Sequence, residues 1–152
     1  MPVLLITGNR SGVGKTSLAA ALLVQLHRSS RHGAYWKPFS ESLDADPDVQ
    51  FISGALSVAL GLPSVPPPSR SQPSDDELRD HLARLRSQAQ VVLIEVANPS
   101  QAAEMADTLD ASVLLVHNYD PLDPIGAAQQ AGARRTVGVL NSVPVYRRES
   151  IT

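Results

Sequence analysis

Residues 8–17 read Gly8-Asn9-Arg10-Ser11-Gly12-Val13-Gly14-Lys15-Thr16-Ser17, directly after the apolar run Val3-Leu4-Leu5-Ile6. Glycines, a lysine and hydroxyls crowd the point where a buried strand must end. Glycine permits positive φ and close approach of backbone to a ligand. Successive amides in such a loop point inward as an anion nest. A helix starting at the loop's end adds the positive end of its dipole, and the apolar spacing over 16–27 (TSLAAALLVQLH) supplies that helix. Strand, glycine loop and helix together are the context of a phosphate-binding loop, in which Lys15 reaches the β- and γ-phosphates and the Thr16 hydroxyl ligates Mg²⁺. The alternative is a glycine-rich turn that merely links strand to helix. The usual pattern has about four residues between the first Gly and Gly-Lys-Thr; here Asn9 to Val13 intervene, which makes five.

Working outward, residues 3–7 read as a short buried strand and 34–37 (AYWK) as a second, stopped by Pro38. A polar loop with Glu41, Asp44, Asp46 and Asp48 precedes a helical pattern over 49–60, which Gly61-Leu62-Pro63 ends. Residues 63–73 (PSVPPPSRSQP) are an ordered or semi-extended loop rather than a domain linker, because the same alternating pattern resumes after them. Ser74-Asp75-Asp76-Glu77 is a capping box opening a helix to about Ala89. Residues 91–95 (VVLIE) form an apolar strand closed by an acid. A short helix over 100–109, a strand over 111–118, a helix over 121–133 weakened at Gly126, and a last strand over 136–141 complete the pattern. Apolar strands alternating with helices predict an α/β fold with a mostly parallel sheet of about five strands, covered on both faces.

The composition agrees. A chain of 152 residues, 43% hydrophobic and 18% charged, fits one globular domain over 1–152. The net charge of -2, with no basic run, excludes an electrostatic nucleic-acid footprint. No cysteine means no disulfide and no thiolate chemistry, and the expected location is cytoplasmic. No segment approaches the roughly 18–20 apolar residues of a membrane helix. Only two of the 13 basic residues are Lys, Lys15 and Lys37; the rest are Arg. Either chance or a need for a compact ammonium at two places accounts for this.

A five-residue spacer before Gly-Lys-Thr, followed by Tyr35-Trp36-Lys37-Pro38, resembles the dethiobiotin synthetases. Asp48 in DADPDVQF, Val92-Leu93-Ile94-Glu95 and Gly138-Val139-Leu140-Asn141 extend the resemblance over most of the chain. The wording Ser11 to Thr16 is also similar to cobyrinic acid a,c-diamide synthases. DPDVQFISGALSVALGLP and VLNSVP are similar to the nucleotide-binding module of some phosphotransacetylases. The resemblance implies a three-layer P-loop NTPase fold, shortened at its carboxyl end, that binds ATP or another nucleoside triphosphate with Mg²⁺. It implies nucleotide contacts from Gly8, Asn9, Arg10, Ser11, Gly12, Val13, Gly14, Lys15, Thr16, Ser17 and Asn141, and a metal shell of Thr16, Asp48 and Glu95. Lys15, Lys37 and Ser11 would act in catalysis, Lys37 on the anionic acceptor or the transferring phosphoryl group. The partners expected are the nucleotide, a small carboxylate or amine substrate and a second copy of the chain, with no nucleic acid and no membrane.

Each assignment has a rival in the residues themselves. Lys37 is alternatively a surface lysine at a strand end. Glu95 alternatively caps the next helix or pairs with an Arg. Asp44 and Asp46 compete with Asp48, and any of the three could cap the following helix. His117 reads as a satisfied histidine at a sheet edge. The four histidines show no metal-ligand spacing. Arg10 is either a solvated loop residue or, as in partition- and division-type ATPases, a cation acting across a dimer. After Glu95 the synthetases carry a glycine-rich stretch, whereas here Val96-Ala97-Asn98-Pro99 is expected to fill space beside a substrate. Three functions follow: an ATP-dependent ligase that activates a carboxylate or carbamate, a regulatory nucleotide-binding module without turnover, or a dimeric switch ATPase using Arg10.

Overall fold

The computed structural model describes residues 2–10, 12–42, 46–118 and 135–141. Among them five strands form one parallel sheet: β1 (Val3–Gly8), β2 (Gly33–Trp36), β3 (Val91–Glu95), β4 (Ser112–Asn118) and β5 (Thr136–Asn141), in the order β2-β3-β1-β4-β5. The helices are α1 (Lys15–Arg28), α2 (Pro47–Phe51), α3 (Ser57–Leu60), α4 (Asp75–Arg86) and α5 (Pro99–Leu109). The helix expected over 121–133 lies outside the described residues. Among the described residues no helix is long and apolar enough to cross a membrane.

Strand alternation sorts the core into two layers. Val3, Leu5, Ala34, Trp36, Val92 and Ile94 pack against α4 and α5, through Leu78, Leu82, Leu85, Met105 and Leu109. Ile6, Tyr35, Val91, Leu93 and Val116 pack the other way, against Ala19 and Leu23 of α1 and against Ile52. The parity carries to the end of β3 and just past the end of β2. Glu95 follows Leu93 by two and Lys37 follows Tyr35 by two, so both side chains emerge on the α1 side, where the glycine loop lies. β1 sits between β3 and β4, and the chain crosses from one side of β1 to the other between β3 and β4. That reversal opens a crevice at the strands' carboxyl ends, the usual ligand position in open parallel sheets.

Three expectations need correction. The single helix over 49–60 is not continuous: α2 starts earlier, at Pro47, and a widened turn over Ile52–Leu56 separates it from α3. Gly54, with φ -82° and ψ -127°, makes the break. The helix from the capping box ends at Arg86 rather than near Ala89; the box itself forms, with Ser74 and Glu77 each accepting from the other's amide. The strand of the AYWK segment begins at Gly33 and ends at Trp36, which leaves Lys37 just beyond it.

The proline- and serine-rich loop is tied to the sheet's end. Ser69 donates its amide to the Pro38 carbonyl, and Ser40 donates to the Ser69 carbonyl, forming a parallel bridge between Phe39 and Ser69. The loop thereby fixes the backbone that leads from Lys37 toward α2.

Candidate functional site

The glycine loop owes its shape to backbone and packing. Gly12 and Gly14 hold φ of 74° and 98°, values at which an L side chain is strained. Gly14 occupies the N-cap of α1 and offers no side chain to the helix's first amides, so these remain available to an external acceptor. Val13 is fully buried and presses down on Gly8, where any Cβ would collide with it and stand 3.0 Å from the Val116 carbonyl oxygen. Gly8 is therefore required by contact rather than by φ.

Two adjoining lobes open over this loop, each of about 420 Å³. The first is lined by Gly12, Gly14, Lys15, Thr16 and Ser17, with Pro47, Asp48 and Glu95 on its far wall. The second is lined by Gly8, Asn9, Arg10, Lys37, Ala97, Asn98 and Pro99. Lys15, Asp48 and Glu95 border both. Ser11 and Asp44 lie outside the described residues. Asn141 ends β5 opposite Asn118, and its side chain is not described. The His117 side chain is buried, and His117 is absent from the residues lining either lobe.

Glu95 neither caps a helix nor pairs with an arginine among the described residues. It accepts from the Thr16 hydroxyl at 3.0 and 3.1 Å and from the Tyr35 hydroxyl at 2.8 Å. Burial pushes the Glu95 carboxyl above the ordinary value, partly opposed by the Tyr35 bond, while nearby Asp48 pushes it further up. Burial likewise raises the Tyr35 phenol, with the Glu95 charge adding to it. Tyr35 is the site residue that the sequence reading left without a role. Strand parity was the available signal, since it places Tyr35 and Glu95 on the same face of neighbouring strands.

Lys37 is not a free surface lysine. Its ammonium lies 2.9 Å from Asp46 and 2.6 Å from Asp48. Burial alone would lower its pKa, but the hydrogen bonds to Asp48 and Asp46 outweigh this and hold it above the ordinary value. The rivalry among the acids divides into different tasks. Asp46 is the N-cap of α2, accepting from the Asp48 and Val49 amides, whereas Asp48 faces both lobes. Burial pushes the Asp46 carboxyl up, but hydrogen bonds from Ser40 and Lys37 bring it below the ordinary value.

The stretch after Glu95 leaves more room than its side chains imply. Ala97, Asn98 and Pro99 form a wall of the second lobe without filling it. The Asn98 side chain turns away to cap α5, accepting from Ser100 and Gln101.

The oxygens of Thr16, Asp48 and Glu95 are hard donors suited to Mg²⁺. Among the described residues no group of three or more His, Cys, Asp or Glu side chains could hold a metal alone. Mg²⁺ is commonly held through one or two carboxylates, with phosphate and water completing its shell.

A family model described as AAA domain matches residues 3–128. The chain is 33% identical over 146 residues to a cobyrinate a,c-diamide synthase from Herminiimonas arsenicoxydans, covering 82% of this chain but 31% of that protein, so it spans about a third of this relative's length. Solved structures share the fold. The MinC:MinD cell division complex of Aquifex aeolicus matches with a TM-score of 0.64 at 15% identity, over 99% of this chain and 72% of the other. The signal recognition particle receptor FtsY of Elizabethkingia anophelis matches with a TM-score of 0.60 at 20% identity, over 91% and 49%.

Proposed function

The chain belongs to the AAA domain family, whose fold here is that of the P-loop nucleotide-binding proteins, and on that premise we propose that it binds Mg²⁺-ATP in the first lobe and transfers the terminal phosphoryl group to a small carboxylate or carbamate in the second. The observation that carries this reading is the pair of open lobes meeting at Lys15, Asp48 and Glu95, one floored by the glycine loop and the other reached by Lys37. A nucleotide's phosphates lying along the loop would point their terminal group at that shared border. The similarity to a synthase that makes amides adds support for a carboxylate acceptor.

In this reading the acceptor oxygen attacks the terminal phosphorus, the bond to the β-phosphate oxygen breaks, and ADP leaves with the electron pair. The transition state spreads charge over several oxygens, so catalysis is positioning plus electrostatics. Lys15 binds the β- and γ-phosphate oxygens, and Lys37 orients the acceptor or the moving group. Thr16, Asp48 and Glu95 would hold Mg²⁺ against the phosphates, where it would supply charge neutralisation. An attacking amine then displaces phosphate from the acyl phosphate.

The test is incubation with ATP, Mg²⁺ and a panel of small carboxylates, with hydroxylamine present to trap acyl phosphate as hydroxamate. An arm with bicarbonate and 7,8-diaminopelargonic acid examines the dethiobiotin reaction. Hydroxamate formed together with ADP is the expected result. Nucleotide binding with neither product from any acceptor would reject phosphoryl transfer.

That negative outcome would favour a regulatory nucleotide-binding module, which one feature of the second lobe also supports. Lys37, a cation facing it, is already engaged by two acids.

A further inference from the structure

Lys37 has two carboxylate partners that differ in how firmly they are held. Asp46 is only 4% exposed, and every face of its carboxylate is engaged. Its Oδ1 accepts the Asp48 and Val49 amides at 3.0 Å each, and its Oδ2 accepts the Ser40 hydroxyl at 2.5 Å and lies 2.9 Å from the Lys37 ammonium. Ser40 is itself pinned, through its backbone, to Ser69. Asp48 is 33% exposed, borders both lobes and touches Lys37 from the open side. One acid is built into the frame, and the other stands at the open border of both lobes.

We propose that Asp46 is a positioning residue, the standing counter-ion of Lys37, whose presence releases Asp48 to serve a metal-bound nucleotide. The inference rests on the Mg²⁺-nucleotide reading above and adds a division of labour to it. If Asp48 were the lysine's sole partner, turning it toward a cation would strand a part-buried ammonium beside a second positive charge. With Asp46 in place, Lys37 keeps a compensating charge throughout. Asp46 also sets where Asp48 stands, because it caps the turn of α2 on which Asp48 is carried.

The substitution Asp46→Asn separates charge from capping. Asparagine caps helices as well as aspartate does: its oxygen keeps the Asp48 and Val49 amides while its amide nitrogen donates to the Ser40 hydroxyl oxygen, and it removes the charge facing Lys37. Binding of a fluorescent ATP analogue is followed by titration with Mg²⁺, alongside thermal unfolding. In the parent, Mg²⁺ tightens nucleotide binding. In Asp46→Asn the Mg²⁺ concentration needed for half of that effect rises about tenfold, while binding without Mg²⁺ stays the same. In the double variant Asp46→Asn with Lys37→Met the requirement returns close to the parent value, because the ammonium that detains Asp48 is gone. A purely structural role for Asp46 predicts no such rescue, so a double variant as impaired as Asp46→Asn overturns the proposal. So does an unchanged Mg²⁺ requirement in Asp46→Asn. Should Asp46→Asn fail to fold, Ser40→Ala loosens the same carboxylate without altering any charge. It should raise the requirement by about twofold to threefold, and no change there also overturns the proposal. A parent protein with no Mg²⁺ effect overturns the proposal together with the reading on which it rests. A Mg²⁺-dependent parent with an indifferent Asp46→Asn overturns the proposal alone.

Discussion

The two halves of the site are made in different ways. The glycine-loop cup is contiguous in sequence, shaped by positive φ at Gly12 and Gly14 and by Val13 packing over Gly8. The corner that faces it draws on the end of β2, the loop at Ser40 and the start of α2, and opposing charges hold it: Lys37 against Asp46 and Asp48. Backbone geometry defines the first region, so it survives changes in its surroundings. Charge balance defines the second, so ligands and substitutions can shift it. A family that keeps the cup and varies the corner would keep its nucleotide while changing what the nucleotide is used for.

The severest challenge to the cup is Lys15→Ala. The ammonium borders both lobes, and charge-assisted contacts to phosphate contribute about 1.5–3 kcal/mol each. Nucleotide affinity should fall by on the order of 100-fold or more, with thermal stability unchanged, as calorimetry and unfolding can check. A variant that binds ATP as tightly as the parent removes the phosphate-cup reading altogether. Gly8→Ala attacks the same region through packing. The added Cβ must displace Val13 or the backbone at Val116, and overpacking of this kind costs about 1–3 kcal/mol. Urea unfolding should show that loss, and nucleotide binding should weaken with it. If the variant is neutral in both, Val13 is not the clamp that shapes the loop.

The contrast between the regions also explains what could be read from sequence. The cup was legible because a contiguous motif carries its own geometry. The α/β layering was legible too, since each buried strand declares itself in an unbroken apolar run such as Val91 to Ile94. The break at Gly54 was not, because 49–60 keeps helical spacing across it and one glycine is tolerated in many helices. Among Asp44, Asp46 and Asp48 the sequence offered three equivalent acids. Only the fold, by placing Lys37 beside the first turn of α2, gives Asp46 and Asp48 different tasks. Tyr35 went unassigned because its partner lies 60 residues away on a neighbouring strand.

Tyr35→Phe tests the seam where the two regions meet. The change removes a donor 2.8 Å from a buried carboxylate oxygen and should cost about 1–3 kcal/mol near neutral pH. The sign of its pH dependence follows from Glu95, whose folded pKa lies above the ordinary 4.5. A group raised on folding contributes stability below its unfolded pKa and loses that contribution as pH rises through the folded value. Without the Tyr35 hydroxyl the Glu95 pKa rises further. The gap between variant and parent should therefore be smallest near pH 4.5 and widen as the pH approaches neutrality. Asp46 has the opposite sign, its contribution fading as pH falls, but it acts on both proteins and cancels in the difference. A gap that stays constant with pH would mean that the hydroxyl packs against Glu95 without stabilising its charge.

Asn98→Ala should have the smallest effect, and it sharpens the comparison from the other side. Asn98 borders the second lobe, yet its side-chain oxygen is committed to the amides of Ser100 and Gln101 at the start of α5. Loss of such a cap costs about 1 kcal/mol. Those amides, on residues that do not line the lobe, would then lose their acceptor. The variant should therefore be slightly less stable in thermal unfolding, and bind nucleotide and turn over carboxylate acceptors as the parent does. If turnover collapses while stability barely moves, Asn98 contacts the acceptor directly, and the second lobe would then rely on a placed side chain as the first relies on its backbone.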